Sequence, residues 1–119
     1  MYEVGDMIEL IVNVPSTRLY AGQQGTIVHR HSPDDFEIEF SDDTGSTIDT
    51  MALSSKQFIV IWESRDHQWV SVPMQTRDLM SKLPNEVATE VLDFARFLAL
   101  RNNQKIQGQA ESELHQGSH

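Results

Sequence analysis

The sequence contains no cysteine and few basic residues, and each shortage excludes some functions. Without cysteine there are no disulfides, no thiolate metal ligands and no cysteine nucleophile, a composition that a reducing compartment permits. Nine Lys and Arg residues stand against 18 Asp and Glu residues, which gives a formal net charge of −9. Because phosphate neutralisation supplies most non-specific nucleic-acid affinity, this balance disfavours nucleic acid and favours a basic protein partner.

Long apolar runs are also missing. No stretch of 18 apolar residues occurs, and residues 1–6 carry neither a basic segment nor an apolar one. We therefore expect a cytoplasmic protein with no membrane contact and no such export signal. The length of 119 residues and a hydrophobic content of 39% fit one domain with an appended element better than two full cores.

The first half of the chain predicts five short strands, because β-branched or alternating segments recur between turn-forming clusters. These segments are residues 7–14, 26–28, 36–40, 47–51 and 58–62. Strands of this length and spacing are typical of a small barrel.

The second half changes to a helical period. Apolar residues recur at steps of three and four from Leu83 to Leu98, which predicts a helix that runs to about Asn102. Pro84 and Glu86 suit its first turn. A short helical turn is expected to precede it, with Thr76 as its N-cap.

An ordered set of motifs carries a first resemblance. It comprises Val4-Gly5-Asp6, Val14-Pro15, Leu19, Gly22-x-x-Gly25-Thr26-Ile27-Val28, Phe36-Glu37-Ile38-Glu39-Phe40 and Leu53-x-x-x-Gln57. In this order they resemble a small uncharacterised bacterial family, frequent in cyanobacteria, over about residues 2–62. The resemblance implies an SH3-like barrel. The Gly-Thr-Ile-Val segment is also similar to the KOW motif of ribosomal and transcription-factor barrels.

A second resemblance lies in the helical part, where the motif is Leu83-Pro84-x-Glu86-Val87-x-x-Glu90-Val91-Leu92-Asp93-Phe94-x-x-Phe97-Leu98. Over about residues 76–101 it resembles a short uncharacterised helical family whose members are often encoded like antitoxins. Neither family brings a catalytic residue or a cofactor, so we expect none. This chain joins both patterns.

These patterns together predict an α+β fold, a five-stranded SH3-like β-barrel followed by an amphipathic C-terminal helix. We assign the barrel to residues 1–64, a linker to 65–75, a helical interaction segment to 76–102 and a flexible tail to 103–119. Residues 1–63 hold 11 acids and 3 bases, so the sheet carries most of the negative charge.

Six acids lie in or beside the third predicted strand, and we call them the acidic set. The set is Asp34, Asp35, Glu37, Glu39, Asp42 and Asp43. It is either a docking patch for a basic partner or, for the Asp pairs, ordinary turn chemistry. Strand alternation places Glu37 and Glu39 on an outer, solvent-exposed face, so a paired-carboxylate active site is disfavoured and no enzyme is predicted.

Histidines give a weak metal signal. His29 and His31 share a face if they lie on a regular strand, but the sequence positions no third ligand for them. His115 and His119 are four residues apart in the predicted tail. We therefore predict no metal site.

The helix carries more apolar surface than one stripe. Phe97, Leu92 and Leu100 lie outside the row formed by the other apolar side chains, so one small barrel is not expected to cover them all. The helix is either an internal lid or, as we favour, an interface for a homodimer or another protein. Its predicted interface residues are Leu83, Val87, Val91, Phe94, Phe97 and Leu98.

Three functions remain open from the sequence. The first is a non-enzymatic protein-interaction module, in its concrete form an antitoxin-like inhibitor that binds a basic partner. The second is a KOW-like nucleic-acid or ribosome-associated module, which requires Arg18, Arg30 and Lys56 to form a basic strip. The third is an accessory subunit of a larger complex.

Overall fold

A computed structural model describes the backbone of residues 2–117 and the side chains of residues 2–105. The chain divides into two units, the first ending at Lys82 and the second beginning at Leu83. The elements in chain order are β1 (Met7–Leu10), β2 (Gln24–Arg30), β3 (Asp35–Ser41), β4 (Thr47–Ser54), a 3₁₀ turn (Ser55–Gln57), β5 (Phe58–Glu63), β6 (Gln68–Trp69), α1 (Val72–Ser81) and α2 (Asn85–Gly117).

The first unit is built on one antiparallel sheet. Its strand order is β4-β3-β2-β1-β5-β6, with β4 and β6 at the two edges. The α+β class is therefore confirmed. A closed five-stranded barrel is not, because within residues 2–117 the sheet is open and has a sixth strand, in which Trp69 pairs with Trp62.

The core lies on one face of this sheet. In β3, Phe36, Ile38 and Phe40 are fully buried while the acids between them point to the other face, as the alternation predicts. Tyr2 packs against this core, and its ring centroid lies 5.2 Å from that of Phe36. The other members of the buried cluster are Ile8, Leu10, Leu19, Ile27, Leu53 and Phe58.

Gly25 has a steric role in the core. A Cβ atom at this position would lie 2.7 Å from Cγ2 of Ile38 and 3.0 Å from Cδ1 of Phe40. These distances are too short for a side chain, so the strand can approach β3 only with glycine here. The glycine of the KOW-like motif is therefore explained by packing between β2 and β3.

A buried carboxylate joins the start of the first unit to the end of β5. Asp6 is 2% exposed, and its Oδ1 accepts hydrogen bonds of 2.9 Å from both the amide and the hydroxyl of Ser64. Its Oδ2 accepts a third, also 2.9 Å, from the amide of Glu3. Because buried carboxylates need such partners, the Val-Gly-Asp motif acts as a clasp across 58 residues of chain.

The segment predicted as a linker contains ordered elements. It includes β6, and α1 begins at Val72. The N-cap is Ser71, whose hydroxyl accepts from the amide of Met74, and not Thr76. The hydroxyl of Thr76 instead donates to the carbonyl of Val72 inside the helix. Proline in the first turn after Ser71 is the sequence signal for this start.

The second unit is a single helix. α2 contains the predicted apolar stripe from Val87 to Leu98, whereas Leu83 lies before its first residue, Asn85. The helix begins close to the predicted position, with the amide of Ala88 donating to the carbonyl of Pro84 at 2.9 Å. It continues beyond Asn102 to Gly117. The flexibility of residues 103–119 stays a prediction. None of the helices in the described part of the chain has the length and apolar character needed to cross a bilayer.

Candidate functional site: the outer face of β3 and the apolar face of α2

The outer face of β3 is less exposed than its alternation indicates. Glu37 and Glu39 are half-buried, and each already accepts a hydrogen bond. Nε2 of His31 lies 2.8 Å from Oε1 of Glu37, and the hydroxyl of Thr47 donates to Oε1 of Glu39 at 3.1 Å. Part of the predicted negative surface is therefore engaged within the sheet.

A bulge in β2 decides where the histidines lie. Ile27 pairs with Ile38, but the next register pair is His29 with Glu37, so Val28 is the extra residue. His29 therefore faces the outer side of the sheet, and its ring lies edge-on to that of His31 with centroids 4.7 Å apart. The two histidines and Glu37 form a polar cluster that strict alternation along β2 does not predict.

This cluster has no metal-site geometry. Within the part of the chain whose side chains are described, no group of three or more His, Asp or Glu residues is arranged to hold a metal ion. His115 and His119 lie outside the residues whose side chains the structure describes.

At the start of β3, Asp34 and Asp35 take part in a tight turn. Oδ2 of Asp35 accepts from the hydroxyl of Ser32 at 2.8 Å, and its carbonyl accepts from the amide of His31. The carbonyl of Asp34 accepts from the amide of Ser55 at 2.9 Å. The Asp35 carboxylate thus stabilises the turn, as one of the two predicted alternatives for the Asp pairs has it, whereas the Asp34 carboxylate is exposed.

At the other end of β3, Asp42 organises the loop to β4. Its Oδ1 accepts from the hydroxyl of Thr44 at 2.6 Å, from the amide of Thr44 at 2.9 Å and from the amide of Ser46 at 3.0 Å. The hydroxyl of Thr44, aided by backbone amides of the loop, lowers the pKa of the Asp42 carboxyl. Asp43 is exposed beside it.

The acidic set does not converge on one point. β3 separates its two Asp pairs by about 20 Å, since a strand rises about 3.3 Å per residue. The two Asp pairs are therefore too far apart to act together as the paired carboxylates of a catalytic site, which lie within about 10 Å of each other. The set therefore forms a band along one strand, which suits an extended contact with a macromolecule better than a small ligand.

One of the three residues of the predicted basic strip, Arg30, is hydrogen-bonded to a turn. The guanidinium of Arg30 donates from Nε to the carbonyl of Ser32 at 3.2 Å and lies over the ring of Phe36, 5.6 Å from its centroid. Arg18 and Lys56 are exposed, in the β1–β2 loop and the 3₁₀ turn.

Within residues 83–105, α2 exposes large hydrophobic side chains, several of which form its apolar face. Phe94, Phe97 and Leu100 are 61%, 55% and 58% exposed. The rings of Phe94 and Phe97 stack at 6.1 Å, and the guanidinium of Arg101 lies 5.8 Å from the Phe97 centroid. On the same side as Phe94, Val87 is exposed and Val91 and Leu98 are half-buried, whereas Leu92 and Leu100 are exposed on the other side of the helix.

No local sequence pattern indicates the role of Lys82. Its side chain is 9% exposed, and Nζ donates to the carbonyl of Phe58 and lies 3.3 Å from the carboxylate of Asp78. The same ammonium sits 5.5 Å from the ring centroid of Tyr2 and 5.7 Å from that of Phe58. Lys82 therefore fastens the end of α1 to β5, which is a structural role.

A groove of about 330 Å³ lies along α1 in the first unit, lined among others by Val60, Val70 and Met74. Glu63, Arg77, Asp78 and Ser81 also line it, and the hydroxyl of Ser81 donates to the main-chain carbonyl of Asp78 at 2.6 Å.

Comparison with known proteins gives one family. Residues 4–60 match the model described as domain of unknown function DUF4926. An uncharacterised family was predicted for about residues 2–62, and this is confirmed for the matched part. No curated protein and no solved structure matches the chain. The SH3-like and antitoxin-like relations stay predictions.

Proposed function

We propose that the protein is a non-enzymatic interaction module that binds another polypeptide chain through the apolar face of α2. The observation that carries this proposal is that the second unit is a single helix with exposed aromatic side chains. One helix has no second element of its own on which to bury such a face, and apolar patches of this kind mark protein interaction surfaces.

The first unit supplies a stable acidic platform in this proposal. Its outer face carries the acidic band along β3, which favours a basic surface on the partner and speeds association at low salt. The concrete form is an antitoxin-like inhibitor, in which α2 contributes apolar contact and the band contributes charge. The SH3-like character of the sheet belongs to the same proposal, supported by its five main strands and its 3₁₀ turn before β5.

The apolar face is tested by a pair of matched variants. Phe94→Gln with Leu98→Gln removes the centre of the stripe, while Thr89→Gln with Arg96→Gln changes the opposite side of the helix. Tagged chains are expressed in the native cell, purified and weighed by sedimentation and intact mass spectrometry. We expect the wild type and the second variant to retain another chain, either an untagged copy or a different protein, and the first variant to lose it.

Circular dichroism on both variants checks that the helix is intact. A wild-type chain that retains no other polypeptide, or a stripe variant that retains it as well as the control does, contradicts the proposal.

The acidic band is best tested at Asp34 and Asp43. Among the described residues, nothing donates to the side chains of these two acids, whereas Glu37 and Glu39 are bonded within the sheet. Charge reversal to Lys at Asp34 and Asp43 therefore alters the surface without breaking a contact. We expect weaker binding of a basic partner and a smaller dependence of affinity on salt. Unchanged affinity at low salt would remove the band from the proposal.

A further inference from the structure

We infer that the chain seated on the apolar face of α2 is α2 of a second copy, with the two helices antiparallel. This inference rests on the proposed function and names the partner of the same face. Three features of α2 carry it: the length of the apolar stripe, the distribution of charge along the helix, and the small residue at its middle.

The stripe is short and self-complementary in shape. Val87, Val91, Phe94 and Leu98 follow the alternating steps of three and four that bring side chains onto one seam between paired helices. The seam spans about 17 Å at 1.5 Å per residue. A second antiparallel copy offers a face of the same composition, and a two-fold axis near residue 95 brings together the ends of the two stripes that carry Leu98 and the exposed ring of Phe94.

The charges of α2 are segregated by end. Between Asn85 and Lys105, the acids Glu86, Glu90 and Asp93 all precede the bases Arg96, Arg101 and Lys105. They are almost mirror images about Ala95, since the pairs 93 and 96, 90 and 101, and 86 and 105 are each centred within one residue of it.

This arrangement decides the orientation. In an antiparallel pair whose two-fold axis passes near Ala95, Glu90 of one copy meets Arg101 of the other at the edge of the seam, whereas Glu86, two helical turns before Asp93, lies on the same side of α2 as Asp93. In a parallel pair, acids would face acids and bases would face bases, which is destabilising. Ala95 at the axis also allows the helices to approach closely.

Asp93 and Arg96 are the control positions for charge changes on α2. They form an ion pair of 3.2 Å within one helix, and both are well exposed. Helical geometry places them away from the seam, whereas Glu90 lies four residues before Phe94 and Arg101 three after Leu98. Charge changes near the seam and changes at Asp93 are therefore expected to act differently.

The experiment uses sedimentation velocity on the full-length chain. One variant carries Glu90→Lys, a second carries Arg101→Glu, and a third combines both changes and keeps the net charge of −9. We expect a wild-type dimer, a dissociation constant raised about tenfold in each single variant, and recovery in the combined variant. Asp93→Lys is expected to leave the dimer unchanged.

The absence of cysteine makes orientation directly measurable. Ala88→Cys and Asn102→Cys lie on the same side of the stripe and about 21 Å apart along the helix. A mixture of the two variants should form a mixed disulfide under mild oxidation, while each variant alone should not cross-link. Cross-linking of each variant with itself would mean parallel helices and would overturn the inference.

Failure of the inference is distinguishable from failure of the proposed function. A wild-type chain that stays monomeric at every concentration tested overturns the inference. If that chain still retains a different protein from its native cell, and the Phe94→Gln and Leu98→Gln variant loses it, the proposed function holds. If it retains no other chain, both are wrong.

Discussion

Asp6 carries more of the first unit's stability than its position in a short polar motif suggests. Its carboxylate holds three hydrogen bonds in a site that is 2% exposed. In Asp6→Asn, one oxygen becomes an amide that faces donors, so a buried donor loses its partner. We expect the free energy of unfolding to fall by about 2 kcal/mol in chemical denaturation. Asp66→Asn, at an exposed position nearby, is the control, and an equal effect there would contradict the role of Asp6.

Asp42 predicts a pH dependence of the β3–β4 loop. Because hydrogen bonds lower its folded pKa, the loop is stabilised by this group above its usual value of 3.8, and the contribution is lost as the pH falls through the lowered pKa. Thr44→Val removes the largest cause. We expect the Asp42 midpoint, followed by carboxyl NMR, to move upward toward 3.8. Thr50→Val should leave it in place, and an unmoved midpoint in Thr44→Val would exclude the hydroxyl as the cause.

Single residues also mark the limit of prediction from sequence. Alternation along β3 places Phe36, Ile38 and Phe40 on the face opposite Glu37 and Glu39, and these three side chains are buried in the structure. Asp6 and Lys82 look like surface charges, and their burial depends on partners far away in the chain, Ser64 and Phe58. No local pattern contains that information.

At the scale of elements, α1 is attached to the sheet mainly at its end. None of its residues is fully buried, while Lys82, just after it, contacts Phe58 and Tyr2. Lys82→Met keeps the apolar stem but removes the ammonium. We expect faster amide hydrogen exchange throughout α1, with exchange in β2 and β3 little changed, because the helix opens locally. Lys56→Met, at an exposed lysine, is the control. Equal protection of α1 in both variants would contradict this role.

The elements differed in how well sequence predicted them. The apolar period of α2 and the alternation of β3 are continuous and were predicted correctly. β6 is only two residues long and forms because it pairs with β5, so no periodicity reveals it. The bulge at Val28 also has no signal in the sequence, because an extra residue in β2 is recognised only from its register against β3. The candidate cluster of His29, His31 and Glu37 depends on that bulge.

At the scale of the whole molecule, the first unit contains its own buried core and its own long-range side-chain hydrogen bonds. A chain that ends at Lys82 keeps all of the buried cluster, the Asp6 bonds and the Lys82 contacts. We therefore expect this fragment to unfold cooperatively in denaturant, with a midpoint close to that of the sheet signal in the full chain. A broad, non-cooperative transition would mean that the first unit needs α2.

The fragment also separates the two roles assigned to the chain. It retains the acidic band along β3 but lacks the apolar face of α2. We expect it to be monomeric in sedimentation, because the surface proposed for association is absent. A fragment that associates as strongly as the full chain would place the interface in the first unit.

The bond between Asp6 and Ser64 sets an order of events during synthesis. A nascent chain cannot close this clasp until Ser64 has left the ribosome, and it cannot fasten α1 until Lys82 has followed. Helix α2, whose backbone hydrogen bonds are local, is made after the first unit and needs no earlier segment to form. Each nascent chain can therefore complete its sheet before α2, the helix that we propose associates with another chain, leaves the ribosome.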